Sequence, residues 1–396
     1  MFAITKFKAM KYNFDEIVVR RGSNSYKWDA TEEEDVLPLW VADMDFKAAP
    51  AIRKALAERV EHGVFGYTKV PDAYYDAIIQ WFSRRHGWQM EREWMQYTIG
   101  VVPAISCIIK AISMPGDKVL VSTPVYNCFF SSIKNNGCEI VESPLRRKDD
   151  LSYEIDFEDF ERKCTDEKVV AYLLCNPHNP CGRVWTREEL ARIGEICRKH
   201  RVWVISDEIH NEIVMLGHRY TPFASVSDDN RRCSVTCVSP SKSFNLAGLQ
   251  IANIICSDSA LSRRIDRAIN INEVCDVNPF GVVATIAAYN ESEDWIDELN
   301  SYIWKNYETL KRMLTLPITP LEGTYLAWVD CSSICEKLSM NSEELEEYLM
   351  KKAKVYLNAG TMYGKAGEGF MRINLACPNA VLTEALKRLH TCFAEN

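Results

Sequence analysis

Ser234-Val235-Thr236-Cys237-Val238-Ser239-Pro240-Ser241-Lys242-Ser243-Phe244-Asn245-Leu246-Ala247-Gly248-Leu249 opens as a β-prone run and passes into a loop that sets one lysine among three small hydroxyls. At the end of a buried strand a lysine is partly desolvated and loses some of its preference for the charged form. Its free amine can then act as a nucleophile toward a carbonyl. Two other readings compete from these residues alone. One is a surface-loop lysine beside serines, and the other is the S-x-x-K element of penicillin-recognising serine enzymes, present as Ser239 to Lys242. The latter also needs S-D-N and K-T-G elements, and the chain has neither.

Outward from this stretch, strand and helix patterns alternate. Strands are expected over 118–122, 139–142, 169–175 and 202–206, with helices over 50–60, 126–135, 156–164 and 186–200. Thr186 with Glu189 three residues later marks a capping box. At 97–105 a strand meets Gly100 and then an apolar helix, a junction whose unpaired amides favour an anion such as phosphate. This rhythm from about 95 to 260 predicts an α/β fold with a mostly parallel sheet and helices on both faces. Ligands of such sheets bind at the carboxyl ends of the strands, and Gly100, Asn179, Asp207 and Lys242 all fall there. A polar helical stretch over 291–314 introduces a second region. The expected division is an N-terminal arm with part of a small domain (1–45), a large domain (46–290) and a small α+β C-terminal domain (291–396).

Composition narrows the function classes. The 396 residues are 47% hydrophobic and 26% charged, as in ordinary globular chains. A net charge of -8 without a basic run argues against nucleic acid. The first residues lack the apolar core of a signal peptide, and the apolar run 169–175 is too short to span a bilayer, so a cytoplasmic protein without membrane contact is expected. Fifteen scattered cysteines read as reduced, buried thiols. Cys233/Cys237 and Cys331/Cys335 have no supporting histidine, so no metal is expected. The glycines near 360–369 lack the G-x-G-x-x-G spacing of a dinucleotide site.

Four features then stand in a telling order: the glycine turn, the loop Asn179-Pro180-Cys181-Gly182, Asp207 after a strand, and Lys242 in S-x-S-K. In this order the chain resembles the fold-type I pyridoxal-phosphate enzymes of the aspartate aminotransferase superfamily over essentially its whole length. Leu39-Trp40-Val41-Ala42-Asp43-Met44-Asp45-Phe46, Phe65-Gly66-Tyr67-Thr68, Pro124-Val125-Tyr126, Asn176-Pro177-His178-Asn179-Pro180, Ser206-Asp207-Glu208-Ile209-His210 and Glu322-Gly323-Thr324-Tyr325-Leu326 narrow the resemblance. They are similar to the MalY/PatB cystathionine β-lyase branch, the cystalysin-like C–S lyases.

The resemblance implies a large domain with a seven-stranded-type sheet and pyridoxal 5'-phosphate in Schiff-base linkage to Lys242. Asp207 would pair with the ring nitrogen, Asn179 with the phenolic oxygen, and Tyr126 would stack on the ring; Asn176 competes with Asn179 but stands before a proline. Val101 and Val102 would hold phosphate through backbone amides, with hydroxyls from Ser239 and Ser241. Tyr67 would reach the phosphate from the neighbouring subunit of a homodimer. Arg372 would clamp the α-carboxylate of an amino-acid substrate, with Trp40, Val41, Ala42 and Asn179 beside it. Gln250 stands where many aminotransferases carry a phosphate-binding arginine, and His210, also expected at the cofactor, where they carry a tyrosine. The implied reaction is β-elimination of a sulfur amino acid to pyruvate, ammonia and a thiol. The alternative is an aminotransferase acting on an L-amino acid.

Overall fold

Apolar side chains pointing alternately to two sides decide where the sheet forms. Along 169–175, Ala171, Leu173 and Cys175 enter one core while Tyr172 and Leu174 enter another. Likewise Val119 and Val121 face one way and Leu120 the other. A strand buried on both faces is the mark of a sheet covered by helices on both sides.

The computed structural model describes residues 10–271 and 276–394. After a short strand β1 (Leu37–Pro38) come helices α1 (Pro50–His62) and α2 (Asp72–His86), then β2 (Met95–Thr98), α3 (Val101–Ile112), β3 (Lys118–Val121), α4 (Cys128–Asn135) and β4 (Glu139–Glu142). A two-residue pair, β5 (Arg146–Arg147) and β6 (Tyr153–Glu154), precedes α5 (Phe157–Cys164), β7 (Val169–Cys175), α6 (Arg187–His200) and β8 (Trp203–Asp207). β9 (Ser234–Val238) and β10 (Ala252–Ile255) complete a seven-stranded sheet of order β2-β10-β9-β8-β7-β3-β4. Only β10 runs antiparallel to its neighbours. The expected α/β architecture is therefore the one observed. Helix α3 covers one face through Ala104, Ile105, Ile108 and Ile109. Phe160 of α5 and Leu190, Ile193 and Cys197 of α6 cover the other.

Local chemistry sets the helix ends. Thr186 accepts the Glu189 amide at 3.2 Å while Glu189 accepts the Thr186 amide at 2.7 Å, closing the capping box at α6. Asp156 caps α5 by accepting the amides of Glu158 and Asp159. Two expected helices shift: α4 starts at Cys128, so Tyr126 lies in the turn before it, where the Val125 amide is tied to the Tyr363 carbonyl. The polar helix begins at Glu293 (Glu293–Met313), after Ser292 closes a separate helix, Pro279–Glu291.

The later residues build a second sheet, β11 (Leu326–Asp330), β13 (Asn358–Ala359) and β14 (Phe370–Asn374), antiparallel with β14 central. β1 pairs in parallel with β12 (Val355–Tyr356), which ties the N-terminal segment to this region. β1 stops at Pro38; residues 39–49 have no ladder and are held by isolated backbone bonds at Leu39 and Asp45 and by side chains. Between β13 and β14 the backbone crosses itself so closely that a Cβ on Gly360 would lie 2.0 Å from the Gly367 carbonyl oxygen. Glycine there serves close backbone approach rather than a nucleotide. No helix among the described residues is long and apolar enough to cross a membrane.

Candidate active site

Strands β7, β8 and β9 end level, with Cys175 opposite Asp207 and Asp207 opposite Cys237. Each chain therefore leaves the sheet at the same edge, and a cavity of about 410 Å³ opens there. Lys242, Asp207, Asn179, Tyr126, His210, Val101, Val102, Ser241, Val41, Ala42 and Arg372 all line it. Most of these lie far from the next in sequence; the parallel register gathers those at the sheet edge, and the segment 40–43 and the second sheet bring Val41, Ala42 and Arg372 to them.

Lys242 sits in a four-residue helix, Pro240–Ser243, rather than in an open loop. Ser239 caps that helix by accepting the Ser241 amide, and Pro240 supplies a preset first helical residue. The Lys242 ammonium donates to the Ala42 carbonyl at 2.6 Å. Burial pushes its pKa down; the Asp43 and Asp207 charges oppose that, and Arg372 reinforces it. A lysine so placed yields its proton more readily than a surface lysine.

Asp207 is buried and its carboxyl is pushed up to about 7, chiefly by burial and also by neighbouring Glu208. The Ile209 amide at 3.1 Å and the Lys242 charge offset part of this. Glu208 is occupied elsewhere: it accepts Ser206 Oγ at 2.7 Å, the Phe223 amide at 2.9 Å and the Tyr220 hydroxyl. His210 is driven down to about 3 by burial and by the Lys242 and Arg372 charges, and its Nδ1 has no partner. It is a neutral ring that lines the same cavity as Asp207, packed edge-on against Tyr325 at 5.8 Å.

Arg372 comes from β14, in the second sheet. It is buried, yet its Nη1 and Nη2 donate only to neutral oxygens, Asn179 Oδ1 at 3.1 Å and the Trp40 carbonyl at 2.7 Å, and its Nε has no partner. The guanidinium lies over the Tyr363 ring at 4.8 Å. A buried cation without an anion is costly, so the arrangement invites a carboxylate. Asn176, the competing asparagine, spends its Nδ2 on the Thr221 carbonyl at 3.0 Å and shapes the turn. His178 is neutral, pushed down to about 4 by burial, and joins this loop to the Tyr126 turn through the Pro124 carbonyl at 2.8 Å. Burial pushes the Tyr126 phenol up, so its ring faces the cavity uncharged.

Two expected cofactor contacts lie elsewhere in this chain. Ser239 is buried behind the cavity wall, its hydroxyl donating to the Ile251 carbonyl at 2.5 Å while accepting Ser241. The capping role consumes the group that was expected at the phosphate. Tyr67 is 98% exposed and does not line the cavity. Conversely, Cys128, Asn358, Tyr363 and Tyr26 line it without having been singled out in the sequence. They lie on a helix start, an edge strand, a short turn and the N-terminal arm, and none carries a motif.

The residues suit pyridoxal phosphate. Asp207 is a buried carboxyl lacking the cationic hydrogen-bond donor that a protonated ring nitrogen offers. The first amides of α3 at Val101 and Val102 have no intrahelical partner and face the same cavity, as an anion requires. Lys242 supplies the amine between them.

Comparison with known proteins agrees. The family model "Aminotransferase class I and II" matches residues 34–389. The chain is 44% identical over 386 residues to the cystathionine β-lyase PatB of Bacillus subtilis, covering 95% of this chain and 98% of that one. It is 31% identical to the protein MalY of Escherichia coli, covering 96% and 98%. Among solved structures, cystalysin of Treponema denticola, which contains pyridoxal 5'-phosphate, superposes with a TM-score of 0.93 at 34% identity, covering 98% of this chain and 100% of that one. With this site on this sheet, the chain belongs to the class I and II aminotransferase family of fold-type I pyridoxal-phosphate proteins.

Proposed function

We propose that the protein is a pyridoxal-phosphate-dependent C–S β-lyase that converts a sulfur amino acid to pyruvate, ammonia and a thiol. The observation that carries the reading is the buried guanidinium of Arg372, free of any anion, in one cavity with Lys242 and Asp207. The likeness to PatB and cystalysin gives the reaction type. The large domain is assigned to 46–290, flanked by the arm at 1–45 and a small domain at 291–396.

Pyridoxal phosphate, when bound, supplies a carbonyl for the substrate amine and a sink for charge developing at Cα. The chain's residues supply the rest. Arg372 takes the α-carboxylate through its fork, with Asn179 and the Trp40 carbonyl fixing the guanidinium plane. Asp207 would hold the ring-nitrogen proton, and Asn179 Nδ2 would serve the phenolic oxygen. Tyr126 would lie against the ring, Val101, Val102 and Ser241 would receive the phosphate, and neutral His210 lines the same cavity. Lys242 Nζ, depressed by burial, takes the Cα proton. The Cβ–S electron pair leaves with sulfur as thiolate, and hydrolysis of the remaining enamine yields pyruvate and ammonia.

Incubation of the holoenzyme with cystathionine is expected to give pyruvate and free thiol in equal amounts over many turnovers, without an added keto acid. Pyruvate limited to one equivalent, with turnover driven by a keto-acid acceptor, would establish an aminotransferase instead.

We assign the active unit to a homodimer in which Tyr67 completes the phosphate site of its neighbour. The support is a full-sized exposed ring at 98%, flanked by Val64 and Phe65, also exposed. After subunit exchange between Lys242→Ala and Tyr67→Ala proteins, mixed dimers carry one native site each. Activity should rise toward about a quarter of the wild-type value. Mixed dimers no more active than their parents would remove Tyr67 from the site. Thirteen of the described cysteines are free thiols, which suits the cytoplasm.

A further inference from the structure

Residues 39–49 belong to no helix or strand, yet the carbonyls at 40–43 receive the cavity's key groups. Trp40 oxygen accepts Arg372 Nη2 at 2.7 Å, and Ala42 oxygen accepts Lys242 Nζ at 2.6 Å. Asn358 donates to the Trp40 carbonyl, Asn374 to those of Val41 and Asp43, and the Tyr325 hydroxyl to that of Ala42, while the N-terminal arm holds the segment's side chains. Lys27, with 0% of its side chain exposed, places Nζ 2.8 Å from Asp45 Oδ2 and 3.6 Å from Asp43 Oδ1. Arg20 forks onto the same two carboxylates, at 2.6 Å to Asp43 and 2.7 Å to Asp45. Trp28 Nε1 donates to Asp45 at 2.7 Å, and the Lys27 carbonyl accepts Trp40 Nε1 at 3.2 Å.

A buried lysine–aspartate pair is a poor source of stability, because desolvation offsets most of its attraction. What such a pair does provide is a fixed geometry. We propose that Lys27 is a positioning residue for the reaction: its pairing with Asp45 and Asp43 fixes the 40–43 strap, whose Trp40 carbonyl orients Arg372 toward the substrate carboxylate. This rests on the reading of Arg372 as the carboxylate clamp. Lys27 does not itself line the cavity: its carbonyl holds Trp40, which does, and its ammonium acts through Asp45 and Asp43. Removing its charge leaves Asp45 still bonded to Arg20 and Trp28, so the fold has a means to survive the change.

The test uses holoenzyme of Lys27→Met, Lys27→Arg and Arg20→Gln. Dissociation constants for L-alanine, which has no leaving group, and for ethylamine, which has no carboxylate, are read from the cofactor absorbance. Lys27→Met should weaken L-alanine about tenfold with ethylamine unchanged, and KM for cystathionine should rise more than kcat falls. Lys27→Arg should return to within about threefold of wild type, and Arg20→Gln should move L-alanine in the same direction as Lys27→Met. Wild-type L-alanine affinity in Lys27→Met, or equal weakening of both ligands, overturns the proposal. Should Lys27→Met not fold, unchanged L-alanine affinity in Arg20→Gln overturns it. Absence of pyruvate from the wild-type enzyme would instead count against the lyase reading, while the L-alanine comparison still reports on the strap.

Discussion

Lys242→Ala is expected to lose the visible absorbance of lysine-bound cofactor and to lower kcat by at least about a thousandfold. Lys242 and Arg372 are the two cationic side chains lining the cavity. A guanidinium does not deprotonate under these conditions, so Arg372 cannot replace the amine as a base. The alanine protein should still fold, because the change removes a desolvated amine and one hydrogen bond to the Ala42 carbonyl. Cofactor can remain through the α3 amides and Asp207 but would absorb as the free aldehyde. Unchanged absorbance in Lys242→Ala would remove the lysine from the chemistry, and with it the reading of the whole site.

Arg372→Lys should lower kcat/KM for an amino-acid substrate by about a hundredfold to a thousandfold, roughly 3–4 kcal/mol. Lysine keeps the charge but cannot hold Asn179 Oδ1, the Trp40 carbonyl and a substrate carboxylate together, as the planar fork does. The loss should fall mainly on KM where the substrate carries an α-carboxylate, and amines without one should bind as they do to the wild type. Equal loss with both kinds of ligand would mean that Arg372 is structural, serving the Tyr363 ring and the strap rather than the substrate.

Both effects arise from the same physical situation. The cavity holds an amine depressed and a carboxyl raised by burial, beside a buried guanidinium that has no anion. Each is unfavourable alone, and each is relieved by a different part of a bound cofactor and amino acid: Asp207 by a ring cation, Arg372 by a carboxylate, Lys242 by a carbonyl.

Much of this was legible in the chain of residues because it depends on local chemistry. Continuous apolar runs such as 169–175, the Thr186–Glu189 capping box and the Gly100 junction determine strands, helix starts and an anion-binding turn through nearest neighbours. The order of Asn179, Asp207 and Lys242 past strand ends then places them at one sheet edge. Tertiary structure decided what depends on partners far away in sequence. Whether Ser239 faces a phosphate or caps the lysine's helix turned on the Ile251 carbonyl twelve residues on. That Arg372 lacks an anion could be known only once β14 lay across the cavity from Trp40 and Asn179. Lys27 had no signal at all: a lysine in a polar arm reads as solvated until Asp43 and Asp45 fold against it. Local periodicity fixes which way a side chain points, but burial and pairing are properties of the assembled chain, and those set the charge states on which the chemistry depends.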